Sequence, residues 1–413
     1  MPDGGSFVVE PSGPLVGTVR AGGAKNSALK LMAACMLAEG RHVLRGVPRI
    51  VDVEIMAEVL HALGMGCERQ AASGDDPGDL VIDTPAELNP EAPYELADRL
   101  RASVVVLGPL LTRTGRASVP LPGGDDFGSR PIDIHLHGLS LLGAEFATVH
   151  GNVQGHVPGA PAARLVGNRV VFEYPSHTAT DNLIMAAVLA KGTTVIENAA
   201  REPEVADLAR LLTSMGAQIR GAGTSHVEIE GVEQLHPAPG PHQVIPDRVV
   251  AATFLAAVGV AGGEVVVEDA RADHMDMLLR KMGDMGLQVE QAPSGLRVAM
   301  EGRLHSVDVA TLPYPGVATD YKPFVVTMLS LADGVGIVSE NLFSGRFRYV
   351  DELRRMGADI RTEGHHAVVR GVRRLSGAPV RASDLRAGAA LVLAGLVADG
   401  QTVVAGAGHV DRG

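Results

Sequence analysis

The chain has 413 residues, 46% of them hydrophobic, enough for two or three domains with packed cores. A formal net charge of -12 excludes a nucleic-acid-coating surface, so any basic site must be a local pocket of arginines suited to a small anion. Two cysteines give neither a disulfide framework nor zinc spacing, and a reducing cytoplasm is the expected compartment.

The start, M-P-D-G-G-S-F-V-V-E-P, has no basic segment and no apolar core, so no signal peptide is expected. Ala21–Lys30 reads A-G-G-A-K-N-S-A-L-K, in which two glycines precede Lys25 and Asn26 at the head of an apolar helix. That arrangement offers amides, an ammonium and a carboxamide to an anion. The G-x-x-x-x-G-K-[ST] spacing of a nucleoside-triphosphate loop is absent. Arg101 then opens a helix in L-R-A-S.

Val119–His135 reads V-P-L-P-G-G-D-D-F-G-S-R-P-I-D-I-H. Glycines around Asp125 and Asp126, closed by Arg130-Pro131, suit a lid that brings an acid over an anion held by Arg130. The same residues suit an ordinary turn with two solvated aspartates. Val249–Gly263 is apolar but too short to span a bilayer, so no membrane segment is expected. In A-T-D-Y-K, Asp320 lies between a proline-containing loop and an apolar helix, where it can cap the helix or act as a base. Farther on, S-G-R-F-R, S-D-L-R-A-G and H-V-D-R-G place Arg346, Arg386 and Arg412 at strand-to-helix junctions, a pattern that suggests one shared anion pocket.

Internal repetition gives the architecture. A helical face ending in an apolar-Gly step recurs at Gly64, Gly143, Gly216, Gly286 and Gly357, roughly every seventy residues. A second mark, a helix closed by glycine before a β-rich run, recurs at Gly40, Gly115, Gly192, Gly263, Gly334 and Gly400. Six small α/β subdomains follow, grouped as two lobes of three. The sixth needs a closing helix and strand beyond Gly413, so it must be cut short or close differently.

The strings G-G-A-K-N-S, L-R-A-S-V-V-V-L-G-P-L, L-P-G-G-D-D-F-G-S-R-P-I-D-I-H, E-N-A-A-R-E-P-E, I-P-D-R, A-T-D, G-R-F, S-D-L-R-A-G-A-A-L-V-L-A-G and H-V-D-R-G occur in order along nearly the whole chain. Together they resemble the UDP-N-acetylglucosamine 1-carboxyvinyltransferase family of enolpyruvyl transferases. The resemblance implies an α/β fold, an inside-out α/β barrel of six βαβαββ-like units in two lobes. One lobe would be residues 1–24 with 246–413, the other residues 25–245 carrying the lid at 119–131. It also implies transfer of the enolpyruvyl group of phosphoenolpyruvate to a hydroxyl of a uridine nucleotide, in the cytoplasmic synthesis of peptidoglycan precursors. No metal, cofactor, nucleic acid or membrane is implied.

Carried over residue by residue, Lys25, Arg130 and Arg412 would hold the phosphoenolpyruvate anion, with Arg101 alongside. Asp320 would be the base on the accepting hydroxyl, with Asn26 beside it, and Arg346, Asp384 and Arg386 would support the closed site. Arg130, Pro131, Ile132, Asp133 and Ile134, followed by His135, would line the uracil pocket. Ser176, His177 and Thr178 would lie at the substrate diphosphate.

Three departures stand out. Asp125 occupies the position where most members carry cysteine, which fits a general acid and implies insensitivity to fosfomycin, an alkylator of that cysteine. The family's S-V-G-A-T reads Ser176-His177-Thr178-Ala179-Thr180, bulkier and titratable, and F-E-N-R-F reads Phe343-Ser344-Gly345-Arg346-Phe347. A kept uracil pocket beside an altered diphosphate site leaves uridine monophosphate, as in nucleoside-antibiotic synthesis, as the alternative acceptor. A catalytically silent nucleotide-binding homologue is the third reading.

Overall fold

The computed structural model describes residues 5–70, 78–121, 132–343 and 345–413. These form two compact units, residues 5–22 with 246–413 and residues 23–121 with 132–245. Asp125, Asp126, Arg130 and Pro131 lie outside the described residues.

Among the described residues each unit contains three sheets, and four of the six share one rule. The strand that follows a helix-closing glycine pairs parallel with a strand reached by a crossover and antiparallel with the last strand of a hairpin. Thus Gly263–Glu268 lies between Leu15–Arg20 and Gly295–Met300, and Val335–Ser339 lies between Val309–Ala310 and His366–Arg370. In the other unit, Thr193–Glu197 lies between Arg169–Val171 and His226–Glu230 in the same way.

The sixth subdomain closes without residues past Gly413. Its strand Thr402–Ala405 runs parallel to Pro379–Arg381 and takes its antiparallel partner from the start of the chain, with Ser6 opposite Ala405 and Val9 opposite Thr402. The expected extra strand is therefore supplied by Ser6–Val9, which the repeat spacing could not reveal because it lies at the other end of the sequence.

Helices fill the interior and sheets face outward. Strand His366–Arg370 alternates exposed and buried residues, whereas helix Lys322–Leu331 is buried at every position from Lys322 to Ser330. A helix apolar on all sides belongs in a core. Helices Arg248–Ala261, Lys322–Leu331 and Leu385–Gly395 pack against one another in one unit, and helix Leu107–Thr114 packs on His177–Ala187 in the other.

The first glycine mark has one structural cause. Gly64, Gly143, Gly216, Gly286 and Gly357 have φ of 97, 100, 106, 104 and 91°, the left-handed region that L side chains rarely adopt. At each, the glycine amide and the next amide turn back onto helix carbonyls, as in Gly216 N–H to Thr213 O at 3.0 Å and Ala217 N–H to Leu212 O at 2.9 Å. This double closure satisfies carbonyls that a helix end would otherwise strand. The buried pair Leu212 and Ala217 supplies the apolar contact that accompanies it.

A Cβ at Gly216 or at Gly283 would meet no atom within 4 Å, but only Gly216 has a positive φ. Gly216→Ala should therefore cost about 1 kcal/mol, whereas Gly283→Ala, inside helix Asp276–Asp284, should gain about 0.5 kcal/mol. Urea-unfolding midpoints of the two variants, read against the parent, check both signs.

Candidate active site

In the unit of residues 5–22 and 246–413, charge gathers where the interior helices begin. Asp320 lies in the short turn Thr319–Tyr321, just before helix Lys322–Leu331. The helix-capping use open to it is not the one adopted: Ala318 and Tyr321 hold the cap positions, with no side-chain cap bond. Instead the Asp320 carboxylate faces two guanidinium groups, Arg346 Nη1 at 2.7 Å from Oδ1 and Arg386 Nε at 3.8 Å from Oδ2. Charge attraction to buried arginines outweighs a single cap bond.

Arg346, Arg386 and Arg412 are all buried, at 4%, 5% and 6% relative exposure. Arg386 enters with helix Leu385–Gly395, whose N-cap is Asp384: its Oδ1 accepts the amides of Arg386 at 3.1 Å and Ala387 at 3.0 Å. Arg346 precedes helix Tyr349–Arg355, and Arg412 follows the turn Ala407–Val410. Burial opposes the charge of Arg346, but Asp320 and Asp384 hold its pKa above the ordinary arginine value.

Behind this cluster lie residues that sequence reading did not single out. Lys322 Nζ pairs with Glu340 Oε2 at 2.8 Å, both side chains inaccessible, and sits 3.9 Å from the centroid of the Phe347 ring. Burial pushes the Lys322 ammonium down to about 8 despite the carboxylate beside it. Burial would raise the Glu340 carboxyl, yet the charge and hydrogen bond of Lys322 and the donors around it hold it below the usual glutamate range. In sequence Lys322 stands out only as the neighbour of Asp320, and a glutamate just past a strand reads as solvated.

In the unit of residues 23–121 and 132–245, Lys25 opens helix Lys25–Ala34 and pairs with Asp52 Oδ2 at 2.9 Å, with half-buried Asn26 next to it. One turn on, buried Lys30 lies 3.3 Å from Asp181 Oδ2 and 3.1 Å from His177 Nε2. An ammonium can only donate, so that imidazole nitrogen accepts and the ring is neutral. Burial raises the Asp181 carboxyl to about 6, against the pull of Lys30. Ser176 caps helix His177–Ala187 by accepting the Ala179 amide. Lys30 and Asp181 were also missed, though an aspartate inside T-A-T-D-N-L-I-M was the available signal.

His135, expected among the substrate-binding residues, is 2% exposed with both ring nitrogens in use. Asn182 donates to Val104 O at 2.9 Å and accepts from the Gly108 amide at 2.7 Å, which fixes its carboxamide. Its NH2 group therefore faces His135 Nδ1 at 3.1 Å, leaving Nε2 to carry the proton toward Thr178 Oγ1 at 3.2 Å. Burial, aided by the charge of Arg101, drives His135 down to about 3. It ties Thr178, at the helix start, to helix Asp133–Leu141. Arg101 begins the turn Arg101–Val106; Ile132 is buried ahead of helix Asp133–Leu141, and Ile134 packs against the core.

The profile of the EPSP synthase (3-phosphoshikimate 1-carboxyvinyltransferase) family matches residues 9–413. The chain is 50% identical over 410 residues to a UDP-N-acetylglucosamine 1-carboxyvinyltransferase of Nocardia farcinica, covering 98% of this chain and 94% of that one. A protein of the same name from Mycobacterium tuberculosis is 49% identical over 408 residues, again covering 98% and 94%. Among solved structures, the enolpyruvyl transferase NikO from Streptomyces tendae superposes with a TM-score of 0.87 at 24% identity, covering 100% of this chain and 95% of that one. An EPSP synthase from Acinetobacter baumannii gives 0.73 at 19% identity, covering 99% and 96%. At those identities the likeness is one of fold.

The geometry of His135 has a measurable consequence. Its imidazole resists protonation in the fold and accepts it freely when unfolded, so its contribution is complete above pH 6.5 and is lost as pH falls toward about 3. The loss amounts to about 5 kcal/mol. Nitrogen-15 spectra should show the Nε2–H tautomer unchanged between pH 8 and about 4, and His135→Gln should flatten the fall in stability across the same range.

Proposed function

The chain belongs to the EPSP synthase family of 1-carboxyvinyl (enolpyruvyl) transferases, and on that premise we propose that it transfers the enolpyruvyl group of phosphoenolpyruvate to a hydroxyl of UDP-N-acetylglucosamine, a step toward peptidoglycan. The observation that carries this acceptor is the 50% identity over 98% of the chain to a protein named for that reaction.

In this reading Lys25, Arg130 and Arg412 hold the phosphate and carboxylate of phosphoenolpyruvate, since two anionic groups on three carbons need several fixed cations. Asp320, kept ionised by Arg346 at 2.7 Å, takes the proton of the acceptor hydroxyl. The freed oxygen bonds to C2 of phosphoenolpyruvate while Asp125 gives a proton to C3, and a tetrahedral adduct results. The C2–O bond to phosphate then breaks, phosphate leaves with the bonding electrons, and C3 loses a proton to restore the double bond. Arg386 and Arg346, fixed by burial, stabilise charge without reorganising. Aspartate at position 125 supplies the acid without a thiol, so fosfomycin has nothing to alkylate there.

A second acceptor, uridine monophosphate, is favoured by one feature: at the start of helix His177–Ala187, where the resemblance puts the substrate diphosphate, stands an imidazole bound to Lys30 at 3.1 Å.

Phosphate release from phosphoenolpyruvate should occur with UDP-N-acetylglucosamine, and the product mass should show the added enolpyruvyl group. Release with uridine monophosphate instead selects the second acceptor, and release with neither leaves a silent nucleotide-binding homologue. Asp320→Asn should lower kcat by about 10²–10⁴-fold. Incubation with fosfomycin should leave activity intact and add no mass to the protein; stoichiometric inactivation would refute the role given to Asp125.

A further inference from the structure

Glu340 collects donors from three separate stretches of chain. Its Oε1 accepts from Thr311 Oγ1 at 2.8 Å, the Leu342 amide at 2.8 Å and the Phe343 amide at 3.1 Å. Its Oε2 accepts from Thr319 Oγ1 at 2.7 Å and pairs with Lys322 Nζ at 2.8 Å. Asp320 lies between Thr319 and Lys322 in sequence, and Leu342 and Phe343 lie four and three residues before Arg346. One buried carboxylate thus ties together the backbone carrying Asp320 and the backbone carrying its arginine.

The direction of the bonds matters as much as their number. A hydroxyl has one proton, and an ionised carboxylate can only accept, so the proton of Thr319 is committed to Glu340. What Thr319 Oγ1 then presents to Arg346 Nη1, 3.1 Å away, is a lone pair. The same Nη1 reaches Asp320 Oδ1 at 2.7 Å. Lys322 offsets charge on Glu340, and Glu340 acts on the guanidinium less than Asp320 and Asp384 do.

We propose that Glu340 and Thr319 are positioning residues for the transfer reaction, holding Arg346 against Asp320 so that the Asp320 carboxylate meets the acceptor hydroxyl ionised and correctly turned. The inference rests on the reading of Asp320 as the base. Neither residue touches a substrate in this scheme; both act through Arg346.

Thr319→Val keeps size and branching and removes only the hydroxyl. It should lower kcat about tenfold or more while the KM for phosphoenolpyruvate moves less than about threefold. The acidic limb of kcat/KM should shift to higher pH, because a carboxylate that loses its arginine binds a proton more readily. Thr319→Ser should restore both, and Glu340→Gln should reproduce the shift. In crystals of Thr319→Val the Arg346–Asp320 pair should be open. Parental kcat and pH profile in Thr319→Val would overturn the inference, as would a Glu340→Gln defect that Thr319→Val does not share and that follows only a lowered melting temperature. If the parent protein transfers no enolpyruvyl group to any acceptor, the functional reading falls, and the crystal still decides the positioning: an Arg346–Asp320 pair unchanged in Thr319→Val sinks it.

Discussion

The ion pair between Lys322 and Glu340, 2.8 Å long and closed to solvent, sets the terms for everything built around it. Removing two charges from water costs several kcal/mol each, and loss of either partner leaves the other uncompensated in a low-dielectric interior. Such a pair is poor as a source of stability but strict as a geometric device, because its members tolerate few alternative arrangements. Glu340 is held ionised by a lysine and four hydrogen bonds. Asp181 in the other unit is the contrasting case: Lys30 lies 3.3 Å from its Oδ2, and burial carries its carboxyl up to about 6. The same motif, a buried lysine on an interior helix facing a carboxylate, holds the carboxyl below its usual range in one unit and leaves it raised in the other.

Interior helices make this arrangement possible. A helix exposed on one face can keep its charges in water, whereas Lys25–Ala34, Lys322–Leu331 and Leu385–Gly395 are enclosed along most of their length. Charged groups at their ends can be satisfied by unpaired amides and neighbouring turns, whereas Lys30, in mid-helix, faces the Asp181 carboxylate at 3.3 Å. Asp384 and Asp247 are N-caps, each accepting two amides of its own helix. Among the candidate site residues, Lys25 and Arg386 lie in the first turn of their helices and Asp320 just ahead of one. The close approach also limits side-chain size: a Cβ on Gly108 would stand 2.5 Å from the Asn182 carbonyl oxygen, and it is the Gly108 amide that fixes the carboxamide beneath His135.

The repeat was legible because its mark is a backbone requirement. Only glycine adopts the left-handed residue of the helix-closing turn without strain, so five turns with φ near 100° left five glycines at regular spacing. Arg346 and Arg386 were visible as arginines at junctions, and the structure does join both to Asp320. What escaped depends on pairing between distant segments. Ser6–Val9 completing the sixth sheet, Thr311 reaching Glu340 and Asn182 fixing His135 span hundreds, tens and tens of residues respectively, and no local pattern encodes them. Asp320 shows the limit most clearly: capping and ion pairing predict the same residue at the same spacing, and only the position of the arginines separates them.

Exposure separates the roles within the cluster. The side chain of Asp320 is 26% accessible, whereas those of Arg346 and Arg386 are 5% and 6% accessible. A group that exchanges a proton with a bound molecule must reach that molecule, while the cations that hold it ionised work best out of water, where their field is screened least. Had the arginines been exposed and the carboxylate buried, water would have weakened the attraction and the proton would have had no path. The order found, an inaccessible lysine and glutamate, then nearly inaccessible arginines, then a partly open aspartate, runs from fixed scaffold to reacting atom. Each layer is less buried than the one that positions it, which is the order a base needs if its geometry is set before the substrate arrives.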